Sequence, residues 1–240
     1  MKTTYRAPLL AYAVTIFLSA FLLFQVQPLM GKMILPWFGG SASVWTICML
    51  FFQSLLLLGY LYTHGVVRYL TPARQSVLHV LLLLVCLWLL PITPSQAWKP
   101  DGTENPTLQI LGLLTVSIGL PYFVLSTTGP LVQAWFARER TGIAPYRLFA
   151  LSNFGSMLAL LAYPTVVEPF LPTRAQSWVW SGLFVSFAAS CAYLAWCGRM
   201  HASITRDDGG DAASEASVPA SSVRWAQRCC GWPWLRVRPF

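Results

Sequence analysis

The chain has 240 residues, of which 56% are hydrophobic and only 10% charged, and its mean hydropathy is +0.57. Soluble domains carry roughly 25% charged residues, and a water-exposed fold could not hide this much apolar surface, so the composition excludes an ordinary soluble globular protein. The formal net charge of +8 would fit nucleic-acid binding in a soluble chain. Here the basic residues border apolar runs, which makes anionic headgroups on the cytoplasmic side of a bilayer the expected partner, and not nucleic acid.

The first apolar run, residues 7–30, exceeds the length needed to cross a hydrocarbon core of about 30 Å at about 1.5 Å per residue. Lys2 and Arg6 give it a basic start, as in a cleavable signal peptide, but the apolar region is longer than the usual 7 to 15 residues or so. It reads as a retained helix. Pro36, Trp37, Phe38, Gly39 and Gly40 then break the chain before a second run over residues 42–62, giving a helical hairpin. The third run, 77–92, is the shortest and contains His79; by length it fits either a crossing or a buried core helix, with His79 packing at a helix end. Runs over 108–128, 148–170 and 178–197 follow, with Pro121 and Pro164 inside the first two of them. Bends are expected there. Ser126, Thr127 and Thr128, just before Gly129 and Pro130, are expected to satisfy carbonyls at a broken helix end.

Cationic residues give an independent count, because Lys and Arg concentrate in short cytoplasmic loops. With six crossings, one side receives Lys2, Arg6, Arg68, Arg74, Arg138, Arg140, Arg147, Arg199 and Arg206, and the other only Lys32, Lys99 and Arg174. With five, most of this asymmetry is lost. The expectation is an all-α polytopic membrane bundle of about six transmembrane helices over residues 1–199, multi-pass in the cell inner membrane, with both termini cytoplasmic.

Residues 200–223, rich in Ala, Ser, Asp and Gly, read as a flexible linker. Residues 224–240 are an atypical tail in which Cys229, Cys230, Gly231, Trp232, Pro233 and Trp234 follow one another. Codons compatible with this stretch, read two bases later, allow Leu-Leu-Trp-Leu-Ala-Leu-Ala-Ala, an apolar start for a further helix, so a frameshift origin is expected for the tail. Cys48, Cys86 and Cys191 fall inside apolar runs and Cys197 ends one, so neither a disulfide framework nor metal-ligand spacing is expected.

Residues 17–64, FLSAFLLFQVQPLMGKMILPWFGGSASVWTICMLFFQSLLLLGYLYTH, with 121–136, PYFVLSTTGPLVQAWF, and 145–169, PYRLFALSNFGSMLALLAYPTVVEP, resemble the membrane part of bacterial fused MFS/spermidine synthase proteins. The likeness covers most of residues 7–198. The resemblance implies a transporter-like helical bundle followed, in that family, by further helices and a Rossmann-type synthase-like domain. No residue here matches that domain's nucleotide-binding glycines or acidic groups, so no aminopropyl-transfer role passes to this chain. Gly59 and the loop bearing Arg68 and Arg74 faintly resemble the Gly-Asp-Arg signature of MFS transporters, with Thr63 and His64 where Asp and Arg would stand.

Polar residues inside apolar runs are the candidate functional groups, because an unpaired polar group in hydrocarbon costs several kcal/mol. They are Gln25, Gln27, Lys32, Gln53, Asn153 and Glu168. Gln25, Gln27, Pro28 and Lys32 form a cluster that could line a cavity near one membrane face; interhelical hydrogen bonding is the alternative. Glu168 is a candidate partner for Arg174, a proton or cation site, or a solvated carboxylate. Paired carboxylates, a nucleophile with its base and a phosphate loop are lacking, so no catalytic site and no cofactor are expected. Two functions fit: a non-catalytic membrane module, partnered by a spermidine synthase-like domain, or a small-solute or polyamine transporter half acting through self-association.

Overall fold

The computed structural model describes residues 9–100, 105–139 and 146–210. Among these, regular structure is entirely helical. The chain divides into two units, Met1–Ser203 and Ile204–Phe240. Only 204–210 of the second is described, as the end of a helix.

Helix α1 (Leu9–Phe38) carries both Pro28 and Pro36 within it. It runs past the expected break at Pro36 and stops at Gly39, whose φ of +86° lies in the left-handed region that only glycine adopts freely. Ser41 caps α2 (Ala42–Tyr69), accepting from the Val44 amide, so the hairpin forms as expected. Helix α3 (Pro72–Trp88) begins with Pro at its first turn, where the missing N–H is no loss. It starts earlier than its apolar run. Leu90–Pro91 is a cis peptide. After a 3₁₀ turn at Gln96–Trp98, Asn105 caps α4 (Pro106–Leu114), which passes through a π turn, Thr115–Gly119, into α5 (Leu120–Glu139). Helix α6 (Tyr146–Ala162) continues through a second π turn, Tyr163–Val167, into α7 (Glu168–Phe170), and α8 (Thr173–Gly210) ends the described chain. π turns thus lie just before Pro121 and around Pro164, the two places where the sequence predicts bends. Residues 200–210, assigned above to the linker, are helical, whereas 224–240 lies outside the described residues.

Five stretches are long and apolar enough to cross a membrane: Leu9–Phe38, Ala42–Tyr69, Pro106–Glu139, Tyr146–Phe170 and Thr173–Gly198. Pro72–Trp88 is apolar but shorter. This is the make-up of a polytopic membrane protein.

Helix α1 is the central post. It packs along α6 and α5, while α2 packs along α5 and α4. Close approach is built from small residues. A Cβ on Gly155 would come within 3.1 Å of the Phe17 carbonyl oxygen, and one on Gly59 would overlap the Ser126 hydroxyl. One end of the bundle holds the Tyr12–Phe136 ring pair and the end of α2. The other end holds the Lys32–Glu168 ion pair. Helix α3 starts at the first end, where Gln75 bonds Trp135, and the segment after it reaches the second, where the Ser177 hydroxyl donates to the Ile92 carbonyl at 2.6 Å.

Candidate functional site

Pro28, lacking an N–H, leaves the carbonyl one turn earlier in α1 without its helical donor, and polar side chains gather on the stretch around it. Gly31 makes room for the Trp45 ring, which sits where a Cβ would. One residue on, the Lys32 ammonium lies 3.2 Å from the Glu168 carboxylate. The second π turn immediately precedes Glu168. The two side chains are 32% and 48% exposed, at the mouth of a cleft of about 670 Å³ whose walls are Pro28, Leu35, Trp45, Leu160, Tyr163 and Pro164.

Tyr163 is also a wall of a smaller, more enclosed chamber of about 120 Å³, bounded by Phe21, Gln25, Leu29, Gln176, Trp180 and Leu183 among others. Its hydroxyl donates to Gln176 Oε1 at 3.1 Å. Gln176 Nε2 donates in turn to the Leu171 and Val167 carbonyls, and Trp180 Nε1 donates to the Leu22 carbonyl at 3.1 Å. Gln25, 7% exposed, has a buried Oε1 with no hydrogen-bond partner. The chamber has room for water, each molecule occupying about 30 Å³ in the liquid. One end of the bundle therefore presents a cation and an anion side by side, an apolar cleft next to them, and a small, largely apolar chamber behind one shared tyrosine.

Gln25, Lys32 and Glu168 are thus brought to one region, and Glu168 pairs with Lys32 and not with Arg174, because the π turn sets it against α1. Gln27 stands apart: its amide donates to the Tyr122 hydroxyl at 3.1 Å, an α1–α5 bond. Gln53 and Asn153 are exposed on α2 and α6, away from the cleft. His79 is not at a helix end but inside α3, fully buried, with Nε2 3.2 Å from the Thr128 hydroxyl. That hydroxyl donates its one hydrogen to the Val124 carbonyl, so His79 Nε2 must be the donor to it, leaving Nδ1 without a partner. Ser126, Thr127 and Thr128 bond carbonyls inside an unbroken helix, since α5 continues through Pro130. Cys48, Cys86, Cys191 and Cys197 are free and buried, and no metal-binding group of three or more His, Cys, Asp or Glu occurs among the described residues.

Two residues escaped the sequence reading, Gln75 and Gln176. Gln75 Nε2 donates to the Leu70 and Val66 carbonyls, five and nine residues earlier, and Gln176 repeats both spacings with Leu171 and Val167. Each clamps the last turn of one helix to the first turn of the next, supplying the donor that the Leu70 or Leu171 carbonyl lacks and a second one to the Val66 or Val167 carbonyl. The signal was present: residues 70–76 read LTPARQS and residues 171–177 read LPTRAQS. Comparison with protein-family models, curated proteins and solved structures finds no match to the chain.

Proposed function

We propose that the chain is a six-crossing, non-catalytic module of the cell inner membrane, with both termini cytoplasmic. It resembles the transporter-like part of fused MFS/spermidine synthase proteins, and its role is to anchor or feed a cytoplasmic enzyme domain. The observation that carries this reading is the outer surface, where Leu50, Leu57, Leu61, Leu81, Leu84 and Val185 are exposed; apolar surface of that extent needs a lipid cover. The sixth crossing draws support from α3, which leaves the Arg138 end of the bundle and whose continuation reaches Ser177. Exposed Tyr69 and Tyr146 adjoin Arg68 and Arg147, while exposed Trp45 and Trp178 lie at the other end, the aromatic and cationic banding of a spanning bundle.

The test is labelling of single introduced cysteines with a membrane-impermeant thiol reagent, after replacing Cys229 and Cys230 by Ser. Ser95→Cys should label in intact cells and Thr71→Cys only after permeabilisation. Labelling of both from the same side would sink the six-crossing topology.

A second reading, a transporter half working as an oligomer, is favoured by one feature. Gln53 and Asn153 expose amides on outer helix faces, where hydrocarbon offers them no hydrogen bond and another helix would. Under it, Asn153→Cys cross-links between copies and Gln25→Ala abolishes uptake in proteoliposomes. Unchanged flux eliminates it.

A further inference from the structure

The cleft under Lys32 and Glu168 has a composition that selects its occupant. We infer that it holds a zwitterionic phospholipid with a primary ammonium headgroup, a phosphatidylethanolamine-type lipid drawn from the leaflet at that end of the bundle. The inference rests on the membrane reading above.

The argument starts with the charges. Lys32 and Glu168 sit 3.2 Å apart and partly exposed. An ion pair in that setting is worth about 0–1 kcal/mol, so it opens readily for a ligand that replaces both partners. Such a ligand must carry an anion for the Lys32 ammonium and a cation for the Glu168 carboxylate, close together. A purely anionic lipid satisfies Lys32 but meets Glu168 with like charge. A primary ammonium donates hydrogen bonds to a carboxylate, which is acceptor-only when ionised.

Apolar surface supplies the second constraint. Below the pair the cleft is walled by Pro28, Leu35, Pro36, Leu160 and Pro164, which a small water-soluble zwitterion would leave uncovered. An acyl chain covers it by packing, the attraction that remains between apolar groups inside a bilayer. At about 670 Å³ the space is within the roughly 300–1,000 Å³ of ligand sites. Depth is the third constraint. Lys32 lies in the last turns of α1, Glu168 just before the end of α7 and Trp45 in the first turn of α2, the level at which Trp residues meet headgroups.

The experiment is native mass spectrometry of the full chain purified from vesicles containing equal phosphatidylethanolamine, phosphatidylcholine and phosphatidylglycerol. Phosphatidylethanolamine should be retained about tenfold over either competitor. Glu168→Gln should cut that preference about fivefold or more, Leu160→Trp should eject the lipid with both charges intact, and the exchanged pair Lys32→Glu with Glu168→Lys should keep the preference. Equal retention of the three lipids by the wild-type chain, or an unaltered preference in both Glu168→Gln and Leu160→Trp, overturns the inference. Displacement of the lipid by millimolar phosphoethanolamine also overturns it, assigning the cleft to a soluble zwitterion. Recovery of the chain in the soluble fraction would instead bring down the membrane reading itself.

Discussion

The two glutamine clamps make the same connection at opposite ends of the bundle and differ in what surrounds the second half of each amide. Gln75 Oε1 accepts from both Trp135 Nε1 and Arg138 Nη1, each at 3.1 Å, and the residue is wholly buried. Donors and acceptors are all used, and the His79 ring meets the Trp135 ring edge-on beside it. Gln176 Oε1 has one donor, the Tyr163 hydroxyl, and Gln176 and Tyr163 both line the small chamber, with Tyr163 also lining the open cleft. The same turn has its amide fully bonded at one end of the bundle and borders a chamber at the other. Where the amide is fully bonded and enclosed the motif serves stability; where it borders a chamber there is somewhere for a ligand to go.

The contrast predicts a graded set of outcomes, each readable as a thermal unfolding shift in detergent. Gln75→Leu should be the most damaging, destabilising by about 2–5 kcal/mol, because it strands the Leu70 carbonyl and the buried Trp135 indole N–H, whereas the Val66 carbonyl keeps the Leu70 amide. Gln176→Leu should cost less, about 1–3 kcal/mol, since the Tyr163 hydroxyl can turn to water in the chamber. Equal losses at the two positions would break the comparison. Gly59→Ala should cost a similar amount, about 1–3 kcal/mol from overpacking against Ser126, and Ser126→Gly in the same chain should recover most of it. If the double variant is as unstable as the sum of the singles, the close approach of α2 and α5 is not the cause. Gln25→Leu should be the mildest, between neutral and about 1 kcal/mol stabilising, because it removes an unsatisfied acceptor. A clear loss of stability there would mean that the chamber is occupied.

Much of the fold was legible because bilayer-length apolar runs carry their own signature. The limits of those runs were less so. The run ending at 128 belongs to a helix that continues to Glu139, because polar residues such as Gln133 and Arg138 at the bundle end lower hydropathy without breaking a helix. Pro36 and Pro130 looked like stops but are absorbed within α1 and α5, as membrane helices allow when neighbours satisfy the freed groups. Of the site, the cluster at Gln25 and Lys32 could be seen in sequence, since its members are close in the chain. Its acidic partner could be named but not paired: whether Glu168 faces Lys32 or Arg174 depends on how far α6 has rotated by that point. Gln75 and Gln176 were missed because a glutamine next to a loop looks solvated until its carbonyl partners are known.

The second π turn has a consequence for helical phase. A π turn is an α-helix with one residue inserted, and each residue advances an α-helix by about 100°, at 3.6 residues per turn. Everything beyond Tyr163–Val167 is therefore dialled about a third of a revolution from where a regular helix would set it, and Glu168 is the first residue to follow. Deleting Thr165 would leave a continuous helix of almost the same length and composition, yet turn the carboxylate away from Lys32. The chain thus stores the alignment of its only described ion pair as a count of residues, so a single-codon deletion that is silent to hydropathy would disconnect it.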